Sequence, residues 1–274
     1  MNCFDLPEKD LSPIEQAQNL LLKLLWDPAL PGGSPLKESV LARDFGINRP
    51  AIREALGIAT GWGIVEYVPY CGYRKKDFTL KDLLAWSQLR EGIEPIASGL
   101  LARRATEEVK EKLCAIIAAQ DDAMAAENRD DFRKLDKEFH LCIVSNCGNC
   151  NFTSPGMLCY FDILFHLNGQ CSSELLLQSL QDSQAPGHKS KQVKYHVFDN
   201  SMDDKWTIAG HRDILYNILM GDADEAENQT RRHIRYQSRN LQKLIDFYGN
   251  ADLSLQQLLQ GRKRHKNKQP QTSN

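Results

Sequence analysis

Four side chains in the second half of this sequence, Asp136, His140, His211 and His233, are of the types that bind transition metals. Asp136 and His140 stand four residues apart within Phe132–Val144, a stretch of helical apolar spacing, so both project from one helix face toward the same place. His211 opens a second helical stretch that runs through Met220. Gly221-Asp222 interrupts it, with Asp222 as an N-cap and Glu225 three residues on, and the last long helix carries His233. Three imidazoles and one carboxylate form a donor set suited to a divalent transition metal. Zinc comes first and nickel, manganese or iron are also compatible, with coordination positions left for water or an oxygen-rich ligand. Sequence distance alone does not bring four residues together, and a lone histidine on a helix is more often structural or superficial. His166, His188, His196 and His265 have no such partners in pattern.

The elements that must position these residues read as helices from about residue 79 to residue 249. Thr79 followed by Asp82 forms a capping-box-like start just after a junction at Phe78–Leu80. Leu83, Leu84, Ser87, Ile93, Ile96, Ala97, Leu100 and Leu101 then make one amphipathic stretch, and Leu113, Ile116, Ile117 and Met124 another. With Phe132–Val144 and the two later helices, this pattern predicts an antiparallel all-helical bundle. Residues 250–274, with the basic run GRKRHKNK and no apolar periodicity, read as a disordered polar tail. That tail is either a solvated end or a DNA contact.

Residues 10–78 have a different character. Ser12 caps and Pro13 opens a first helix with Ile14, Ala17, Leu21, Leu24 and Leu25 on one face. DPALPGGSPL breaks it. A short helix over Glu38–Phe45, with Val40, Leu41 and Phe45 inward, ends at Gly46, and Asn48 caps a third helix whose buried stripe is Ile52, Leu56 and Ala59. Arg49 and Arg53 share a face near the start of that helix, where two guanidinium forks suit guanine edges or phosphates. IVEYVPYCGYRK then reads as two short strands and a wing, turned at Gly72 and tipped with Arg74, Lys75 and Lys76. Any one of these arginines taken alone is as well explained as a solvated surface charge. The order helix, glycine-marked turn, basic helix, hairpin is what predicts a winged helix-turn-helix, with Lys37, Asn48, Arg49, Arg53, Gly72 and Arg74 as the DNA-facing set.

Composition agrees with two globular domains. The chain has 274 residues, 42% hydrophobic and 26% charged, and no run of about 20 apolar residues that would span a bilayer. MNCFDLPEKD has acids where an export signal needs a basic stretch and an apolar core, so a cytoplasmic protein is expected and its eight cysteines are read as reduced thiols. The formal net charge is −2, but Lys37–Lys76 holds seven cations against four acids. Cys147 and Cys150 have a spacing that can chelate a metal or form a disulfide. No second pair of matching spacing exists, and the plainer reading makes them small apolar residues at a helix end.

LKESVLARDFGINRPAIREALGIATGWGIVEYVPYCGY resembles the winged helix-turn-helix of GntR-type transcription regulators, in the Gly46-Ile47 turn, the Asn48-Arg49 start and the Arg-Glu-Ala-Leu block at Arg53–Leu56. Where this chain has Asn48, that family usually has Ser or Thr. LREGIEPIASGLLARRA, LDKEFHLCIV and AGHRDILYNILMGDADEAENQTRRHI resemble the all-helical FCD effector domain of the FadR subgroup. The resemblance implies that Asp136, His140, His211 and His233 ligate one metal, that a small carboxylate or sugar acid binds beside it, and that Arg90 helps to hold this acid. It implies a homodimer on palindromic operator DNA, in the role of a repressor of a catabolic operon, with the acid changing the spacing or order of the two DNA-binding heads. A metal-dependent hydrolase or isomerase would use the same donors, but no His-Glu-x-x-His motif supplies a general base. A purely structural metal is a third reading. The stretch from Phe165 to His211 is longer than the resemblance leads one to expect, and is read as a loop or extra helix over the cavity.

Overall fold

The computed structural model describes residues 11–27, 29–153 and 200–250, together with Met157, Phe161, Phe165, Asp252 and Ser254. The chain divides after Phe78 into two compact units. The long connection and the GRKRHKNK run lie outside the described residues.

In the first unit, α1 (Pro13–Trp26) starts in a capping box in which Ser12 and Glu15 satisfy each other's backbone N–H groups. α2 (Glu38–Phe45) ends at Gly46, whose φ of 67° is the left-handed turn that glycine adopts without penalty. Three residues later α3 (Arg49–Gly61) begins, and the Asn48 side chain accepts a hydrogen bond of 3.0 Å from the Ala51 N–H. α1 packs on α3, burying Leu21 and Leu25 with Ile52 and Leu56. β2 (Val65–Val68) and β3 (Gly72–Lys75) form the antiparallel hairpin, with Tyr67 opposite Tyr73.

Three expectations need correction here. Val40, placed inward by its spacing, is 36% exposed; Leu41 carries the buried contact of α2. The Pro/Gly-rich break contains a strand, β1 (Pro35–Leu36), which pairs with β3 so that the sheet order is β1-β3-β2. The wing's basic residues do not sit at its tip. Tyr70, fully exposed with φ 64°, and Cys71 make the turn, whereas Arg74 and Lys75 lie within β3. Lys75 is half-buried, and its ammonium donates to the Leu30 carbonyl at 2.6 Å, tying the loop before β1 to the sheet.

The second unit is helical: α4 (Leu80–Ala102), α5 (Glu107–Ala125), α6 (Arg129–Asn146), α7 (Asn200–Met220) and α8 (Ala223–Tyr248). The predicted capping box is present, with the Asp82 carboxylate accepting from the Thr79 N–H at 2.9 Å. Leu101, Leu113, Phe139, Ile143, Ile214 and Ile218 are buried in one apolar core, so α4 to α7 all contribute. Ile96, predicted on the buried stripe of α4, is exposed. Ser254 is buried, and its backbone bridges to Thr79.

α4 and α8 form the most extensive helix pair of the unit. Ser87 and Ser238 share a buried hydrogen bond of 2.7 Å, and Thr230 donates to Ser98 at 2.8 Å, which removes the penalty of burying four hydroxyls. Gly99 sets the approach of the two helices: a Cβ there would stand 3.0 Å from the Ala223 carbonyl oxygen and 3.6 Å from Glu227 Cβ. We expect Gly99→Val to overpack this contact and destabilise the unit by about 1–3 kcal/mol, lowering the melting temperature by several degrees in calorimetry. An unchanged melting temperature would show that the contact does not set the helix spacing.

Candidate metal centre and nucleic-acid interface

The bundle brings three of the predicted ligands to one point. His140 from α6, His211 from α7 and His233 from α8 each offer a ring nitrogen, and these atoms lie within 4.8 Å of one another. His211 Nε2 is 3.2 Å from His140 Nε2 and 3.3 Å from an Asp136 carboxylate oxygen. His140 Nε2 is 3.8 Å from the same oxygen. Aromatic rings fix the imidazoles: Phe139 stacks on His211 at 4.4 Å between centroids, and Phe165 on His140 at 5.4 Å.

The hydrogen bonds behind the rings decide what they can do. His211 Nδ1 meets the Gln120 side-chain oxygen at 2.9 Å, and His140 Nδ1 meets Glu94 at 2.7 Å. The Gln120 acceptor keeps a proton on His211 Nδ1 and turns its Nε2 lone pair inward, and the Glu94 carboxylate close to His140 Nδ1, although out of line for a hydrogen bond, favours the same tautomer there. Burial, reinforced by the neighbouring cationic centres, drives the pKa of His211 and of His233 well below the usual histidine value, so both are neutral and able to ligate. Burial also raises the Asp136 pKa.

A divalent cation fits this donor set. Two nitrogens on one tetrahedral zinc, at about 2.0–2.1 Å each, stand about 3.3 Å apart, close to the separation of the His140 and His211 nitrogens. His233 Nε2 and an Asp136 oxygen are buried without a hydrogen-bond partner among the described residues, a state that a cation relieves.

Arg90 is buried beside the cluster and is not a free clamp. Its Nε and one terminal nitrogen bind Glu94, the other terminal nitrogen donates to Gln237 at 2.9 Å, and the guanidinium lies 4.4 Å over the Phe165 ring. Three of its five N–H donors are thereby engaged. Although burial opposes its charge, attraction to Arg90 and His140 holds Glu94 ionised, with a pKa of about 2. Glu94 and Gln120 escaped the sequence reading. Glu94 stands four residues after Arg90, so its pairing was available in the spacing, whereas nothing in the sequence marks Gln120. Cys147 is buried, Cys150 exposed, and the described cysteines are free thiols. Burial pushes the Cys142 thiol up, which disfavours the thiolate that a metal would need.

In the first unit Lys37, Asn48, Arg49 and Arg53 are exposed and Gly72 and Arg74 partly so. Arg53 makes a two-pronged contact of 2.8–3.1 Å with Glu38 on α2, and Arg49 reaches the same carboxylate at 3.9 Å. The Arg53 hydrogen bonds draw Glu38 below the usual carboxylate value. Glu38 therefore fixes the direction of the Arg53 fork, a role that the sequence reading did not assign.

A family model for the FCD domain matches residues 86–155, which contain Asp136 and His140 but neither His211 nor His233. Among curated proteins, HTH-type transcriptional repressor RspR of Escherichia coli K12 is 21% identical over 216 residues, 77% of this chain and 81% of that protein. The "Probable D-xylose utilization operon transcriptional repressor" of Paenarthrobacter nicotinovorans is 23% identical over 171 residues, 62% and 75%. E. coli McbR/YncC shares the fold at a TM-score of 0.58 and 16% identity over 87% of this chain and 99% of that one. A protein from Rhodococcus sp. RHA1 described as a GntR transcriptional regulator does so at 0.56 and 14%, over 85% and 99%. No helix among the described residues is long and apolar enough to cross a membrane. The relatives are transcription regulators rather than enzymes, which removes the hydrolase reading. With a small-sheet, three-helix unit of winged type ahead of the residues that match the FCD domain, this chain resembles GntR-type transcription regulators of the FadR-like subgroup.

Proposed function

We propose that this regulator is a homodimeric repressor of a catabolic operon, which releases its operator when a small carboxylate or sugar acid binds at a divalent metal held by Asp136, His140, His211 and His233. The observation that carries this reading is the inward-facing cluster of three imidazoles with its orphaned His233 Nε2 and Asp136 oxygen. A cation held there would supply Lewis acidity and open positions for anionic oxygen. Glu94 and Gln120 orient His140 and His211, Gly210 leaves room for His233, and the two uncommitted N–H groups of Arg90 are the donors offered to the acid's carboxylate. Ligand and DNA are coupled only if the acid binds the DNA-free arrangement more tightly than the DNA-bound one. Because a single head reads only a short half-site, two heads on symmetric half-sites give useful affinity.

His211→Ala is expected to abolish stoichiometric zinc in elemental analysis of the purified protein. Gly210→Ala, which removes no donor, is expected to lower zinc content as well, since a Cβ there would press to 2.6 Å from His233 Nδ1. One zinc per chain in both variants would eliminate the site.

For the DNA-reading face, Arg53→Ala should weaken binding to a duplex selected by the protein from a random pool by about 1–3 kcal/mol, the scale of a good base contact. Fluorescence anisotropy that shows equal affinity would reject Arg53 as a base or phosphate contact. In the same titration, an acid from a hydroxy, keto and sugar acid panel should lower the affinity of the metal-loaded wild type. If no acid changes it, the metal is structural.

A further inference from the structure

The three histidines differ at their outer nitrogens. Nδ1 of His140 faces Glu94 and Nδ1 of His211 faces Gln120, but no described protein group accepts a hydrogen bond from Nδ1 of His233. That nitrogen lies against the bare face of Gly210, and both residues line a groove of about 330 Å³ between α7 and α8. His233 is partly exposed while its Nε2 is fully buried, so the ring forms the wall between groove and cluster, with one nitrogen toward each.

The groove is basic. Arg232, Arg235 and Arg239 line it against one carboxylate, Asp213, with Tyr236 between them. Arg235 is held by Glu91 at 2.8 Å, whereas Arg232 and Arg239 are exposed and make no ion pair among the described residues. Seven residues apart on α8, they stem from one face about 10.5 Å apart along the axis, a span that two flexible side chains close onto the two ends of a short chain. The groove volume suits a molecule of this size.

We propose that the groove between α7 and α8 binds a small dicarboxylate, one carboxylate resting on Arg232 and the His233 Nδ1–H and the other on Arg239. This site lies on the opposite side of His233 from the metal-facing nitrogens, and is distinct from the interior site beside Arg90. An anionic acceptor at Nδ1 completes for His233 what Glu94 and Gln120 do for its neighbours, and makes Nε2 a stronger donor. The groove thereby tunes metal affinity, a consequence that rests on the metal reading given above; by linkage, metal strengthens the dicarboxylate to the same degree.

The test uses the full chain, zinc-loaded and chelator-stripped, titrated calorimetrically with succinate, glutarate and adipate. At least one acid should bind both forms. The double variant R232Q/R239Q, both positions being exposed, should fold normally and bind that acid more weakly by about tenfold or more in both forms. Zinc affinity, read by competition with a chromophoric chelator, should rise with the acid in the wild type and not in the double variant. Absence of binding by all three acids, or binding that the double variant leaves intact, overturns the proposal. Acid binding that requires zinc and that the double variant retains overturns the groove and supports the interior site instead. If zinc fails to bind at all, the metal reading falls, while titration of the stripped protein still decides the groove.

Discussion

A helical bundle can hold ionisable groups at its centre only if each finds a partner, because desolvating an unpaired charge or polar atom costs more than any one apolar contact returns. The second unit of this protein is arranged around that constraint. Glu94 is kept ionised by Arg90 and His140, Gln120 accepts from His211, and Gln237 accepts from Arg90, so α4, α5, α6, α7 and α8 are tied to one another through the polar centre. The apolar core around Phe139, Ile143 and Ile214 gives these groups their low-dielectric surroundings, and Gly210 leaves the His233 ring its room.

What the constraint leaves unmet is as informative as what it satisfies. His233 Nε2 and one Asp136 oxygen are buried and unpaired among the described residues, and they sit where the other imidazole lone pairs converge. His211 and His233, held neutral by burial, bring no charge to the Asp136 carboxyl beside them, and a divalent cation would match both the geometry and the donor types of the cluster. In the first unit, the same logic acts at the surface with smaller stakes. Glu38 is only partly desolvated, and its contacts with Arg53 and Arg49 align the guanidinium groups more than they stabilise the fold.

Much of this was legible in local sequence patterns. Ser12, Gly46, Asn48 and Thr79 carry their cap and turn signals in their own residue types, and Asp136 and His140 share a face by a spacing of four. His211 and His233 had no local signal tying them to that pair. Their place rested on a resemblance, since convergence of three helices is a tertiary fact. β1 was illegible because two residues, one of them proline, carry no strand period; its pairing depends on β3, almost forty residues away. Val40 and Leu41 show the limit of a short helix, where two adjacent apolar residues leave the buried face undetermined by spacing alone. Lys75 was placed at the wing tip because charge argues for solvent, yet its stem is half-buried and its ammonium reaches a loop carbonyl.

Zinc-edge X-ray absorption on the loaded full-length protein tests the central claim most directly, because it counts the atoms bound to the metal. This account predicts nitrogen and oxygen neighbours only, at about 2.0–2.2 Å, with the outer-shell scattering of three imidazole rings. A sulfur neighbour at about 2.3 Å, or a shell of light atoms without imidazole scattering, would contradict it.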